Sequence, residues 1–278
     1  MIKYADLGAT KQLDEIVFAG SHHAGVTSGG GNAQKQNLNI ADLARAALRF
    51  LDLRVAAFST GATVHGGKQT AIKAFHADGK LQLRDNKVRS VAGFTGTREI
   101  QRSKFRAGAE GLALLDMLDD ARNFVTSADY LGEFLILKFE KFTNWALIAD
   151  LWRANLGNAL YRGSGNVNTK ILAQLAGKVI FTLMSDGYAQ LALAEGRPPA
   201  DYDANFSGQQ YCGAGGTSAI SGKSHKAKIK ENARKQAKIL AVPAPGCREY
   251  ALPLIEQRGK RAIRHRRKPC QIRCRWVR

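Results

Sequence analysis

The sequence lacks any hydrophobic run long enough to span a bilayer. Its opening stretch, MIKYADLGATKQLDE, also lacks the apolar core that secretory signal peptides carry. These absences predict a protein that is cytoplasmic, or exported without a visible signal peptide. Both absences are compatible with peripheral contact between the protein and a membrane surface.

Cysteine is scarce, and all four residues come late in the chain. Neither their number nor their spacing matches a disulfide framework. Cys270 and Cys274 are separated by three residues, but the other two cysteines, Cys212 and Cys247, do not form the second closely spaced pair that a zinc site needs. We therefore expect free thiols, as in a cytosolic protein.

Acidic residues are few relative to basic ones, with 23 Asp and Glu against 42 Lys and Arg. The imbalance is concentrated in residues 223–278, which hold 18 basic and only 3 acidic side chains. This distribution predicts a body over residues 1–222 and a basic, poorly ordered tail over residues 223–278. No aromatics are interleaved with those lysines, so we expect no specific nucleic-acid binding; contact with anionic lipid is the partner the tail favours.

The stretch Asp14–Gly25, DEIVFAGSHHAG, is the most informative part of the chain. Its apolar run, Ile16–Phe18, is typical of a strand buried on both faces, as in parallel α/β sheets. His22 and His23 follow at once, at the end of the strand where α/β folds collect their functional residues. A histidine there either moves a proton near neutral pH or simply closes the strand.

A second strand, Arg49–Val55, follows a helix predicted by the apolar stripe from Ile40 to Leu48, with Asn39 as its cap. Asp52 and Arg54 lie two residues apart and would project from one face of that strand. They form either a buried structural ion pair or an arginine oriented by a carboxylate to bind an oxyanion such as phosphate.

Further along, strands and helices alternate, which predicts an α/β barrel or an open doubly wound sheet. Lys138 and Glu140 repeat the pattern of two charged residues on one strand face. The predicted elements are a helix over 111–125, a strand over 133–140, a helix over 144–160 and a strand over 177–186.

Two more histidines occur in strand-like settings, His65 in TVHGG and His76 in AIKAFHADG. His76 ends the more convincing apolar run and precedes a turn signal, Asp78-Gly79. Residues 81–83 are expected to return as a short hairpin strand, and residues 86–108 to form a long surface loop.

Five stretches, in this order, resemble the X-type catalytic region of phosphatidylinositol-specific phospholipase C, and most closely its bacterial, metal-independent members. They cover roughly the first two-thirds of the chain. The resemblance implies an irregular (β/α)8 TIM-type barrel, incomplete at its C-terminal end because residues 220–278 are basic and without pattern. The stretches are AGSHHAG (19–25), RFLDLRV (49–55), KAFHADG (73–79), EGLALLDMLDDARNFV (110–125) and EFLILKFEK (133–141).

The resemblance also implies roles at the reacting phosphodiester. His22 would be the general base that takes a proton from the inositol 2-hydroxyl, giving diacylglycerol and a cyclic inositol phosphate. Arg54 falls where metal-independent members carry an arginine and calcium-dependent members a carboxylate, so no metal or other cofactor is expected. The general acid would be His76, with His65 as its rival.

The remaining positions would surround the substrate, a phosphatidylinositol-like phospholipid at a membrane surface. Asp52 matches an acidic position beside the site, Lys138 matches a lysine near the headgroup, and Glu140 would pair with that lysine. His23 stands where members have Asp or Asn, which helps to orient a catalytic histidine, and a histidine offers no carboxylate for that purpose.

Two other functions compete with this one. A glycerophosphodiester phosphodiesterase would need a metal, an acidic pair and an HR-type opening motif, which Arg54 and SHHAG do not match. A non-catalytic or inactive barrel whose basic tail binds anionic membrane or nucleic acid is the alternative outside enzymes.

Overall fold

The computed structural model describes residues 3–16, 18–29, 33–64, 67–77, 81–84, 90–95, 100–104, 107–139, 144–163 and 167–183. His65, Glu140, the four cysteines and the basic segment 223–278 lie outside these residues. The elements in chain order are β1 (Ala19–Ser21), α1 (Ile40–Arg45), β2 (Leu48–Leu53), β3 (Val55–Val64), β4 (Gly67–Ala77), β5 (Gln82–Leu83), β6 (Ser103–Lys104), β7 (Gly108–Ala113), α2 (Leu114–Thr126), β8 (Leu135–Phe139), α3 (Trp145–Leu156), α4 (Leu172–Leu175) and β9 (Val179–Leu183).

Four parallel strands form the central sheet, in the order β1-β2-β8-β9. Helix α1 connects β1 to β2, and α3 and α4 lie between β8 and β9. The predicted α/β fold is therefore confirmed. Within the described residues the sheet is open, with β1 and β9 at its edges, and the residues that follow β9 lie outside the described ones.

The two faces of this sheet are buried against different parts of the chain. On one face, Leu135, Leu137 and Phe139 join the large core formed with the helices. On the other face, Phe50 and Ile136 pack in a second cluster. Every residue of β8 and β9 is buried, which explains why their sequences are almost uninterrupted apolar runs.

Helix α1 begins where the sequence predicted. The side chain of Asn39 accepts a hydrogen bond from the backbone N–H of Asp42 at 2.8 Å, as an N-cap does. The helix ends earlier than predicted, because Ala47 has a φ of 68° and turns the chain into β2, which begins at Leu48.

A three-stranded antiparallel sheet, β3-β4-β7, follows β2. The predicted strand Arg49–Val55 is in fact divided at Arg54, because Val55 already pairs with Ala74 in the β3–β4 hairpin. Strand β5 pairs with β6 rather than returning along β4, so the hairpin expected for residues 81–83 was wrong in its partner.

Helix α2 begins at Leu114, three residues later than predicted, because Gly111 belongs to β7. A Cβ at Gly111 would lie 2.0 Å from the backbone oxygen of Gly25, and Leu112 N–H donates to that same oxygen at 2.9 Å. The approach of these two backbones keeps residues 111–113 extended. It also fixes β7 against the loop that carries His22 and His23.

Among the described residues, no helix combines the length and the apolar composition that crossing a membrane requires.

Candidate active site

The carboxyl ends of β1 and β2 bring His22 and Asp52 together. His22 follows the last residue of β1, and Asp52 is the penultimate residue of β2. Nδ1 of His22 is hydrogen-bonded to Oδ2 of Asp52. The Asp52 side chain is 7% exposed and the imidazole 49% exposed, so the carboxylate is covered while the His22 ring reaches solvent. Because Nδ1 is held by the carboxylate, Nε2 is the nitrogen left to exchange a proton with a ligand.

A row of three buried polar side chains crosses the sheet at the level of Asp52. Strand register pairs Asp52 with Lys138 and Lys138 with Thr182. Nζ of Lys138 lies 3.8 Å from Oδ1 of Asp52, and both side chains are buried. Oδ1 of Asp52 and Oγ1 of Thr182 have no hydrogen-bond partner within the part of the chain that is described. Buried polar atoms without a hydrogen-bond partner are rare in folded proteins, and a bound ligand or water can supply the missing hydrogen bond.

His23 occupies the turn after β1 in a left-handed conformation, with a φ of 54°. Histidine is among the residues enriched in that region, and strained backbone clusters at functional sites. The turn is fixed because Ala24 N–H donates to the backbone oxygen of Asp52 at 2.9 Å and Val26 N–H donates to that of His23 at 3.1 Å. As a result the His23 ring is 3% exposed and stacks on the ring of His22, with centroids 3.8 Å apart.

Gly25 allows this turn to pack directly against the neighbouring elements. A Cβ at Gly25 would lie 2.5 Å from Sδ of Met117 on α2 and 2.7 Å from Cβ of Ala74 on β4. Only glycine fits at that distance, so Gly25 places the loop of His22 and His23 beside the strand that carries His76.

His76, on β4, completes a chain of three imidazoles. Its Nδ1 lies 3.1 Å from Nδ1 of His23, and the two ring centroids are 5.0 Å apart. His76 is half-buried. The site therefore runs from the carboxylate of Asp52 through His22 and His23 to His76.

The environment of His23 keeps its ring neutral. Burial is the main reason that the pKa of His23 lies far below its usual range. The positive charges of His22, Arg54, His76 and Lys35 lower it further. His23 is therefore unable to carry a second proton at any physiological pH, although it can still donate or accept one hydrogen bond at each nitrogen.

Arg54 lies between β2 and β3, at the same end of the sheet. Its backbone oxygen accepts a hydrogen bond from the N–H of Phe75 at 2.9 Å, which places it next to His76 in the neighbouring strand. The residue is half-buried, and its positive charge helps to lower the pKa of His23. Asp52 and Arg54 therefore reach the same site, although they belong to different elements.

Two predicted site residues, His65 and Glu140, lie outside the described residues. Of the two candidates for the general acid, His76 is among the described residues, and it contacts His23 directly.

One set of side chains has the chemistry of a metal site. The candidate ligand atoms of His22, His23 and Asp52 lie within 4.8 Å of one another. Imidazole nitrogen and carboxylate oxygen suit zinc and similar divalent ions. Two positive charges already lie beside this set, the ammonium of Lys138 at 3.8 Å from Asp52 and the guanidinium of Arg54 near His23. These charges would repel a divalent cation there.

Sequence reasoning missed Thr182. It interrupts the apolar run of β9 in the same way that Lys138 interrupts β8. The signal was present in the sequence, since parallel strands in register place such interruptions side by side, but the register itself could not be known without the structure.

No protein-family model and no curated protein matches this chain. Similar folds do occur among solved structures, and the chain spans about half the length of the first of these, an engineered variant of phosphatidylinositol-specific phospholipase C from Staphylococcus aureus. That structure is 19% identical over 64% of this chain and 50% of its own, with a TM-score of 0.42.

Two further structures are similar at lower identity. A calcium-dependent phosphoinositol-specific phospholipase C from Pseudomonas sp. is 15% identical over 69% of this chain and 64% of its own, with a TM-score of 0.38. PLC21 of S. officinalis is 12% identical over 63% of this chain and 19% of its own, with a TM-score of 0.35.

Proposed function

We propose that this protein is a metal-independent phosphodiesterase that cleaves the headgroup from a phosphatidylinositol-like phospholipid. The observation that carries the proposal is the hydrogen bond between His22 and Asp52, set in one site with His76 and Arg54. Cleavage of a phosphodiester by a hydroxyl of its own headgroup needs a base, an acid and a cation on the phosphate. These residues supply all three.

His22 is the base in this reaction. Oδ2 of Asp52 accepts a hydrogen bond from Nδ1–H of His22 and so holds the tautomer in which Nε2 has a free lone pair. Nε2 takes the proton of the inositol 2-hydroxyl as its oxygen attacks phosphorus. Asp52 then stabilises the imidazolium that forms, because the carboxylate is buried and close.

Arg54 balances the charge that develops on the phosphoryl oxygens. A guanidinium presents several N–H donors in a plane and suits two phosphate oxygens at once. Its fixed charge does the work that a metal ion would otherwise do. Lys138, one strand further along and beside Asp52, binds the polar headgroup together with Thr182 in this proposal.

His76 is the acid. Its imidazolium gives a proton to the glyceryl oxygen as the bond between that oxygen and phosphorus breaks, which releases diacylglycerol and leaves a cyclic inositol phosphate. His22 has gained one proton and His76 has lost one, so the site returns to its starting state when His22 releases a proton to water and His76 takes one up.

The substrate implies a membrane surface as the place of action, whether the protein remains in the cytoplasm or is exported without a visible signal peptide. The basic tail would add electrostatic attraction to anionic lipid.

A metal-dependent phosphodiesterase of the glycerophosphodiester type is the second candidate. It is favoured by the closeness of the ligand atoms of His22, His23 and Asp52. Treatment with a chelator separates the two candidates, since the metal-independent enzyme keeps its activity and the metal-dependent one loses it.

The test is release of diacylglycerol from vesicles of phosphatidylinositol, phosphatidylcholine or sphingomyelin in the presence of EDTA. We expect turnover of phosphatidylinositol and a loss of about 10²- to 10⁴-fold in His22→Ala, the usual contribution of a general base. His76→Ala should cost more than His65→Ala, and the reverse order would assign the acid role to His65. Arg54→Ala should lose activity, whereas the control Arg45→Ala, on the exposed side of α1, should not.

Failure to cleave any of the three lipids in EDTA, in a preparation that is folded, would reject the proposal. Recovery of activity on adding a divalent ion would then favour the second candidate.

A further inference from the structure

The positive charge of residues 1–222 is concentrated in one part of the fold. Residues 54–113, from the residue after β2 to the end of β7, hold 11 Lys and Arg against 4 Asp and Glu. The rest of residues 1–222 hold 13 Lys and Arg against 16 Asp and Glu. The excess of basic side chains therefore belongs to the part of the chain that forms the antiparallel strands.

These antiparallel strands are joined to one another by backbone pairing. The sheet β3-β4-β7 continues through a bridge between Ala57 of β3 and Arg102, which directly precedes β6, and β6 pairs with β5. Arg84 N–H donates to the backbone oxygen of Arg102 at 2.9 Å, so the pairing extends one residue past β5. We call the five strands β3 to β7, with Arg84, the antiparallel layer.

Three cations of the antiparallel layer are exposed. They are Lys68 on β4, Arg84 after β5 and Lys104 on β6. None of these three side chains forms an ion pair with another described residue. Lys73, by contrast, is neutralised by Glu110 of β7 at 2.8 Å. Exposed positive charges without a counter-charge attract an anionic surface.

The helices α1, α2 and α3 have the opposite balance of charge. Each of their three arginines is paired with the aspartate three residues before it. Two more aspartates, Asp116 and Asp120, belong to α2, so the helices are left with a net negative charge. A protein with charges separated in this way turns its basic side toward an anionic surface as it approaches.

The antiparallel layer also carries part of the candidate active site. Arg54 directly precedes β3, and His76 lies on β4 with its Nδ1 3.1 Å from Nδ1 of His23. A surface bound to the layer therefore comes close to the site. A lipid bilayer would present a substrate there. A nucleic acid is less favoured, because none of the described aromatic rings of the layer is exposed for bases to stack on.

Resting on the proposed function for its choice of partner, we propose that the antiparallel layer is the surface by which the protein docks on an anionic phospholipid bilayer. The contact is electrostatic. Among the described residues, the large apolar side chains that are exposed are Leu7, Leu38 and Leu131, and all three lie outside the layer. Unlike attraction through the basic tail, this docking orients the molecule and holds the site at the bilayer.

The test measures binding of the full chain to vesicles without phosphatidylinositol, made of phosphatidylcholine alone or mixed with phosphatidylserine. The three exposed cations of the layer are neutralised together in Lys68→Gln/Arg84→Gln/Lys104→Gln. Co-sedimentation at low and at high ionic strength gives the affinity. Hydrogen exchange of the parent protein, with and without vesicles, shows which backbone amides the bilayer covers.

The matched control is Lys3→Gln/Lys11→Gln/Arg162→Gln. It removes three exposed positive charges that lie outside the antiparallel layer. Both variants change the net charge by the same amount, so a difference in affinity between them reports where the charge lies. All six side chains are exposed, and substitutions at such positions usually change stability little.

The parent protein should bind the mixed vesicles more tightly than phosphatidylcholine alone, and high ionic strength should remove that preference, because salt screens exposed charges. Neutralising the layer should lower the affinity for mixed vesicles by about 10- to 100-fold, since each basic residue at an anionic membrane contributes roughly fivefold. The control should lower it by less than about threefold, because its charges lie away from the bilayer. In the parent protein, vesicles should slow exchange in residues 59–64 and 67–69 and leave α2 unchanged.

Equal losses of affinity in the two variants, or slowed exchange confined to residues 223–278, would overturn the proposal and assign the binding to net charge or to the tail. Tighter binding of a DNA duplex than of mixed vesicles, lost in the variant of the layer, would overturn the choice of lipid. The measurement needs no turnover. Binding without cleavage of any lipid therefore rejects only the proposed function, and cleavage with unchanged affinity in the variant of the layer rejects only this proposal.

Discussion

Replacing Asp52 by Asn should disable catalysis and weaken the fold by separate routes. The carboxylate contacts two groups, Nδ1 of His22 through Oδ2 and Nζ of Lys138 at 3.8 Å through Oδ1. Asparagine has nearly the same volume, so the substitution removes the charge without leaving a cavity. We therefore expect a loss of stability from the contact with Lys138 and a loss of activity from the contact with His22.

The loss of stability follows from the buried lysine. Two unit charges 3.8 Å apart attract by about 4 kcal/mol at an effective dielectric constant of about 20. Removal of one member of a buried pair usually costs about 3 to 5 kcal/mol, because the other charge stays behind. We therefore expect the free energy of unfolding of Asp52→Asn to fall by about 3 to 4 kcal/mol.

The loss of activity follows from the tautomer of His22. The amide N–H₂ of asparagine can donate to Nδ1, which moves the proton of the neutral ring to Nε2 and removes the lone pair that the base needs. A wrong tautomer at an otherwise intact catalytic histidine lowers kcat by about 10⁴-fold in a comparable acid–base system. We expect a loss of about 10³- to 10⁴-fold here.

The assay is a double-mutant cycle with Lys138→Met. Urea unfolding gives the free energy of unfolding, and diacylglycerol release gives kcat. Asp52→Asn/Lys138→Met should recover most of the stability that Asp52→Asn alone loses, because no charge is left buried without this partner, but it should recover none of the activity. The reasoning is refuted if Asp52→Asn keeps kcat within tenfold of the parent, or if the double variant is no more stable than the single one.

Three further predictions concern other parts of the structure. Glu133→Gln should lower the free energy of unfolding by about 3 kcal/mol in urea, because the buried guanidinium of Arg49 loses its charged partner; Arg49→Met/Glu133→Leu should lose less. The free energy of unfolding should fall as pH drops below about 6.5, since the pKa of His23 is lowered in the folded state and proton uptake favours the unfolded chain; His23→Asn should reduce that slope by up to about 1.4 kcal/mol per pH unit. Thr182→Val should raise KM several-fold without lowering the melting temperature, because the hydroxyl it removes is buried and has no hydrogen-bond partner among the described residues. A lower melting temperature with unchanged KM would instead make Thr182 a structural residue.

The parallel sheet could be predicted from the sequence because its strands are buried on both faces. The apolar runs that contain β2 and β8 are visible directly, and so are the charged residues Asp52 and Lys138 that interrupt them. The start of α1 at the Asn39 cap was equally clear. Such features depend on residues that are close in the chain, where local preferences decide the structure.

The division of the strand at Arg54 could not be predicted in the same way. Residues 49–55 have the composition of one strand, and only the pairing of Val55 with Ala74 shows where the next sheet begins. The late start of α2 has a similar cause, since the backbone contact of Gly111 with Gly25 joins residues far apart in the chain. Contacts of this kind override local preference and leave no local signal.

At the site, His23 is another residue whose surroundings could not be predicted from the sequence. The sequence placed it next to His22 and showed that it offers no carboxylate. Its burial, its left-handed turn and its contact with His76 depend on the packing of the loop against α2 and β4. In the structure, His23 is the residue that contacts both His22 and His76.

The balance of charge at the site determines what it can bind. Asp52 is the one carboxylate among the described side chains of the site, and it is shared between His22 and Lys138. Lys138 and Arg54 add fixed positive charges beside it before any histidine is protonated. Those charges attract a phosphodiester monoanion and repel a divalent cation. The same balance explains why His23 must remain neutral: a further charge at its buried position would have no partner, and a neutral ring is the form that can still hold His76.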